Sequence, residues 1–189
     1  MKYLLTVTAL LTLLQGCAPV IVGGAAVGAV AVADDQRTTG TIIDDQGIEL
    51  KIGKAISNDS ELREQGHINV TSFNGVVLLS GEVATTAQRE RADQLARTTV
   101  KVRHVTNELI VGPVTSFASR SRDSWITTKV KSQLFGAGDV SGNQIKVVTE
   151  AQTVYLMGLV SRREADRATD ITRHTSRVKR VVKLFEYTD

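Results

Sequence analysis

Cysteine occurs once in the 189 residues, at Cys17. A single thiol has no partner for a disulfide or for a cysteine-based metal site. Aromatic residues are scarce, with one Trp, three Tyr and four Phe, too few for the stacking platforms that bind single-stranded nucleic acid. The three histidines, His67, His104 and His174, are scattered, and nothing in the sequence sets one beside a paired carboxylate or the Cys. No nucleophile elbow, phosphate loop or metal-ligand spacing is present. These absences speak against an enzyme, a cofactor, a metal site and a nucleic-acid partner. No apolar run reaches the roughly 20 residues that span a bilayer as a helix.

What is present begins at the first residue. Met1-Lys2 precedes an apolar run from Tyr3 to Leu14, and Gln15-Gly16-Cys17 follow. One basic residue, a short hydrophobic stretch and small residues describe an export signal. Leu14-Gln15-Gly16-Cys17 resembles the lipobox of bacterial lipoproteins. That resemblance implies removal of residues 1–16 and attachment of acyl chains, palmitate among them, to Cys17. Each buried CH₂ contributes about 0.8 kcal/mol, and stable anchoring takes more than one chain. Ala18 stands where an Asp would favour the inner membrane, so the resemblance implies the outer membrane and a molecule facing the periplasm. Residues 18–33 form a Gly/Ala/Val tract. With Cys17 and residues up to 45 it reads as a tether, in which Asp34-Asp35 and Asp44-Asp45 are solvated spacer and helix N-cap residues.

The remaining chain repeats. Lys51 to Ile56 matches Lys129 to Leu134 at an offset of 78, and Ile68-Asn69-Val70 matches Ile145-Lys146-Val147 at 77. Val77, Leu79, Gly81 and Val83 match Val154, Leu156, Gly158 and Val160, also at 77. Thr85-x-x-Gln88 and Ser161-x-x-Glu164 are capping-box signatures at an offset of 76. Two copies of one small unit account for this drift. Ile48, Ile52 and Ile56 make a helix stripe. Asn74-Gly75 is a strong two-residue hairpin signal, and the matching turn at Glu150-Ala151-Gln152 is less specific. Gly81 and Gly158 mark a bulge or a close backbone approach. The order in each copy is α-β-β-α-β, which predicts an α+β fold: a three-stranded mixed sheet covered by two helices. Boundaries fall at 46–112 and 122–189. Between them, the Ser-rich segment 113–121 carries a Pro and no periodicity and reads as a linker, docked through Phe117.

A unit of this length with Ile68-x-Val70, Val77-x-Leu79-x-Gly81-x-Val83 and Val102-x-x-Val105-x-Asn107-x-Leu109 resembles the BON domain. The second copy departs from the pattern at Lys183, where the Asn would fall. A lipobox followed by two BON units covers essentially the whole mature chain. The resemblance implies lipid binding by the first helix of the second unit, enrichment at the division site and support of outer-membrane integrity.

That helix carries the only Trp. From Asp123 to Phe135, with Asp123 or Ser124 as N-cap, an advance of about 100° per residue aligns Ile126, Val130 and Leu134 as a core stripe. Trp125, Thr128, Ser132 and Phe135 fall on the reverse side, flanked by Lys129 and Lys131. The first copy has Gly47, Leu50, Lys54 and Ser57 at the matching positions and lacks the aromatic pair. Charge divides the same way. Residues 46–112 carry eight basic and eight acidic side chains, whereas 122–189 carry twelve and eight, a net of +4. The arginines around the second helix of that copy read equally well as a solvated face paired with Glu164, Asp166 and Asp170. Trp, Phe and two lysines on one unpartnered face predict contact with an anionic phospholipid, phosphatidylglycerol or cardiolipin. The alternative is an adapter that uses the same patch to hold an envelope protein, such as an outer-membrane assembly component.

Overall fold

A computed structural model of the chain describes residues 37–189. The expected signal peptide at 1–16, the expected lipidation site Cys17 and the part of the expected tether up to residue 36 lie outside the described residues. The first copy runs α1 (Thr39–Asn58), α2 (Ser60–Gln65), β1 (His67–Phe73), β2 (Val76–Val83), α3 (Thr86–Arg97) and a third strand in two pieces, β3 (His104–Asn107) and β4 (Ile110–Val111). The second runs α4 (Phe117–Gly136), a 3₁₀ turn (Gly142–Gln144), β5 (Ile145–Glu150), β6 (Thr153–Val160), α5 (Arg162–Arg173) and β7 (Arg180–Tyr187). In each, the first two strands pair antiparallel and the last lies parallel to the second. The fold is the expected pair of α+β units.

Local signals hold where they are strongest. Both capping boxes form, at Thr85/Gln88 and at Ser161/Glu164. Ile48, Ile52 and Ile56 are buried against β2, as are Ile126, Val130 and Leu134 against β6. Asn74 and Gly75 take φ of 50° and 73°, the left-handed pair a two-residue hairpin needs. At Gly81 the backbone has φ 112°, and an added Cβ would lie 1.9 Å from the His67 carbonyl oxygen, so glycine is obligatory there.

The two leading helices start earlier than their apolar stripes imply. α1 takes in residues 39–45, read above as tether, and α4 takes in 117–121, read as linker. Thr38 and Ser116 cap them, each hydroxyl accepting from the backbone N–H three residues on. Phe117, expected to dock the linker, is 79% exposed. Asp123 is therefore no N-cap, and neither it nor Asp45 is solvated; both are buried in mid-helix. The reason is the hairpin beneath. Asp123 accepts from the backbone N–H of Ala151 (3.0 Å) and Gln152 (2.9 Å), one on each oxygen. Asp45 accepts from Asn74 N–H (2.7 Å) and Gly75 N–H (2.8 Å) in the same way. This carboxylate explains the weak turn signal of the second copy. Ala151 and Gln152 hold φ of 48° and 63° without glycine because Asp123 ties down both amides.

The strands alternate between two cores. Val77, Leu79 and Val83 face α1 and α3, while Val154, Leu156 and Val160 face α4 and α5. The opposite sides meet each other. Phe73 and Leu78 of the first copy pack with Tyr155 and Met157 of the second, joined by Val76, Val148, Leu159, Val182 and Leu184. Polar pairs rim this third core: Lys146–Glu49 (2.9 Å), Arg103–Glu186 (2.9 Å), Arg180–Glu108 and Asn69–Glu150 (2.8 Å). Order through the molecule is helices, sheet, sheet, helices.

Two outcomes follow from this packing. Asp123→Ala leaves two turn amides without their charged acceptor and should lower unfolding free energy by about 2–3 kcal/mol, read as a lower urea midpoint. The second concerns pH. Burial, with the Glu108 charge adding, pushes the Tyr155 hydroxyl up to about 12. An unfolded tyrosine titrates near 10, so between about pH 10 and 12 the folded chain holds a proton that the unfolded chain has lost. Stability is therefore complete below that window and falls as pH rises through it. The loss should amount to roughly 2–3 kcal/mol, and the slope between urea midpoints at pH 10 and 12 should shrink in Tyr155→Phe.

Candidate functional site

The buried Asp123, Ile126, Val130 and Leu134 set the rotation of α4 and leave its outer face free. Trp125 is 44% exposed and Phe135 63%. Thr128 and Ser132 lie exposed between them. The Thr128 hydroxyl bonds back to the Ser124 carbonyl, which satisfies it within the helix. Phe117 stands eight residues before Trp125, so at about 100° per residue it shares the side of Phe135. At about 1.5 Å per residue, Phe117, Trp125 and Phe135 punctuate a line of roughly 27 Å. Sequence reading missed Phe117 because the Ser116 cap was taken as part of a linker.

Cations bracket the Trp. The Lys129 ammonium lies 5.0 Å from the ring centroid and the Arg177 guanidinium 5.1 Å, both within the range of cation–π attraction. Lys129 also donates to the Ser176 hydroxyl at 2.8 Å, which ties α4 to the turn after α5. Arg177 reaches the ring from a left-handed backbone (φ 72°), and Lys101 repeats that conformation in the first copy (φ 73°). Sequence reading placed Arg177 near α5 without linking it to the Trp. The structure brings Trp125, Lys129 and Arg177 together, with Thr128, Ser132 and Phe135 along the same face. Lys131 is set apart: it is exposed and lines a cleft of about 350 Å³ with Glu49 and Lys146. Among the described residues, Lys129, Lys131, Arg177 and Lys179 have no acidic partner, whereas Arg167 and Arg173 are paired to Asp170 and Lys183 to Asp166. The paired reading thus fits Arg167 and Arg173, and of the cations without an acidic partner Lys129 and Arg177 stand beside the Trp.

The matching face of α1 has no aromatic residue. Gly47 replaces Trp125, and Leu50 is 74% exposed where Thr128 would be. No helix among the described residues is long and apolar enough to cross a membrane.

A second cluster was invisible in the sequence because three strands supply it. His67, Glu82 and Glu150 bring one ligand-type atom each within 4.8 Å of one another. Burial holds the Glu150 carboxyl above the usual carboxylate range, with Glu82 and Asp123 adding to the shift and the Asn69 amide and His67 opposing it.

Comparison with known proteins agrees with the repeat. The BON domain pattern matches residues 44–113 and 122–189. Outer membrane lipoprotein DolP of Haemophilus influenzae is 44% identical over 176 residues, 93% of this chain and 91% of that protein. The 21 kDa hemolysin of Actinobacillus pleuropneumoniae is 37% identical over 153 residues, 81% of this chain and 79% of its own length. Osmotically-inducible protein Y of Escherichia coli is 30% identical over 156 residues, covering 79% of this chain and 76% of that one. The pattern match falls on both halves of the structure, α1 to β4 and α4 to β7, and with it the chain belongs to the BON domain family as a two-domain, DolP-like member.

Proposed function

We propose that this chain is a non-enzymatic outer-membrane lipoprotein, anchored through Cys17 and facing the periplasm, whose second BON domain binds anionic phospholipid through the outer face of α4. Its role is to support outer-membrane integrity, with enrichment at the division site. The observation that carries the reading is Trp125, half exposed on a helix whose other side is buried, with Lys129 and Arg177 against its ring. Trp favours the headgroup level of a bilayer, where its ring is solvated on one side and its NH stays wet. Phe117 and Phe135 at the two ends of the line let the helix lie in the membrane plane. Each cation near an anionic surface adds about 1 kcal/mol. Phosphatidylglycerol and cardiolipin both offer the phosphate charge this face requires.

The test is liposome flotation of the soluble, unlipidated chain 18–189, which lacks both the signal peptide and the acylated Cys17 and leaves the helix to act without an anchor. It should float with vesicles containing phosphatidylglycerol and stay down with phosphatidylcholine alone. Trp125→Glu should weaken flotation at least tenfold, and salt well above 0.15 M should weaken the unmodified face by screening. Equal flotation of both chains, or of neither, would sink the lipid reading. Photocrosslinking from position 125 then separates the adapter reading, because a protein adduct that persists without anionic lipid identifies an envelope protein as the occupant.

A further inference from the structure

His67 and Glu82 face each other across the β1–β2 ladder as register partners, and Glu150 comes to them from β5 of the other BON domain. Glu82 is 2% exposed, and neither of its carboxylate oxygens accepts a hydrogen bond. His67 Nδ1 is likewise buried without a hydrogen-bond partner, 3.3 Å from Glu82 Oε2. A buried carboxylate with no donor is costly, and a second carboxylate aimed at it raises that cost. The nearby Asp123 is different, since its oxygens are taken by Ala151 and Gln152. Glu82 and its neighbours therefore lack a positive partner that would satisfy both acids at once.

We propose that His67 Nδ1, Glu82 and Glu150 form a binding site for a divalent d-block cation of the zinc type, bridging the two BON domains. Two carboxylates and a neutral imidazole balance a dication without residual charge, and this mixture of N and O donors suits zinc. The 3.3 Å between His67 Nδ1 and Glu82 Oε2 is the edge of a tetrahedron with bonds of about 2.0 Å. Asn69 donates from Nδ2 to Glu150 Oε2 at 2.8 Å and so orients that ligand from outside. Entry is open through a cleft of about 210 Å³ lined by His67, Glu150, Thr149 and the Arg120–Thr127 side of α4, where the Arg120 guanidinium is turned to the Thr115 carbonyl and Asp123 adds a carboxylate. Water in that cleft can complete the fourth position. Because one ligand comes from the second domain and two from the first, the ion would fasten sheet to sheet beside the helix that carries Trp125.

The experiment is calorimetric titration of the full lipidated chain in detergent, stripped with chelator and then given Zn²⁺, with Mg²⁺ as a second arm. One Zn²⁺ should bind per chain, and at free zinc a hundred times the dissociation constant the folded-to-unfolded ratio should rise about a hundredfold, seen as a higher melting temperature. Glu82→Gln in one domain and Glu150→Gln in the other should each weaken zinc binding at least tenfold. Glu82→Gln should also melt no lower than the parent in chelator, since neither oxygen of the carboxylate it replaces accepts a hydrogen bond, so loss of binding there is not loss of fold. Absence of stoichiometric zinc binding overturns the site. So does binding that survives undiminished in either variant, and so does an equal response to Mg²⁺, which an imidazole ligand disfavours.

Discussion

A carboxylate pointing inward from the first helix of each domain is the contact on which the rest of the structure depends. Asp45 and Asp123 each accept both amide N–H groups of the hairpin turn below them. A helix packed on a sheet through aliphatic side chains alone can slide and roll at little cost. Two charge-assisted hydrogen bonds to a fixed turn remove that freedom, because their geometry is demanding and the groups are buried. Once Asp123 is locked, Ile126, Val130 and Leu134 must face inward, and Trp125, two residues on from the carboxylate, must face out. The outward aromatic is thus a consequence of the inward acid.

The same hairpin decides how the two domains meet. Its strands are apolar on both sides, with Leu78 and Met157 buried as deeply as Leu79 and Leu156. A three-stranded sheet with helices on one face exposes the other, and a hydrophobic second face needs cover. Each BON domain supplies that cover for its neighbour. The polar pairs at the rim set register across the contact without carrying its stability, since exposed ion pairs contribute little. Glu82 breaks the pattern: it continues the side of β2 that faces the other sheet as a carboxyl group, at a place where Glu150 also arrives.

Most of the architecture was legible in the sequence. The repeat placed both units, and capping boxes, the Asn74-Gly75 turn and the two aliphatic stripes each describe bonds between residues close in the chain. What escaped has a common cause. Helix starts were misplaced because α1 and α4 begin with turns that bury no aliphatic stripe, so hydrophobic periodicity has nothing to report there. The roles of Asp45 and Asp123 were misread because an Asp near a helix start resembles an N-cap, and its partners lie 29 and 28 residues away. Sheet-to-sheet docking was unreadable since alternation within a doubly buried strand disappears. At the candidate site, Trp125, Lys129 and Phe135 were visible from helical spacing, whereas Arg177 joins them through a turn nearly 50 residues further on.

The frame is duplicated and the outer surface is not, and that asymmetry bears on how weak a membrane contact can be and still matter. In the proposed reading, the two cations against the Trp, at about 1 kcal/mol each, amount to a dissociation constant of roughly tens of millimolar, to which the Trp adds. Such an affinity would leave a free domain largely unbound. In the same reading an acyl anchor at Cys17 would change the problem, because tethering would hold the second contact at an effective concentration of about millimolar. The helix would then need only to choose a lipid, while the anchor would supply residence at the membrane. Trp125 costs the fold little because its ring sits outside the core, and Gly47 at the matching place costs its helix only about 1 kcal/mol. One face of a duplicated module can therefore take on lipid recognition while the buried acids, strands and caps stay the same in both copies.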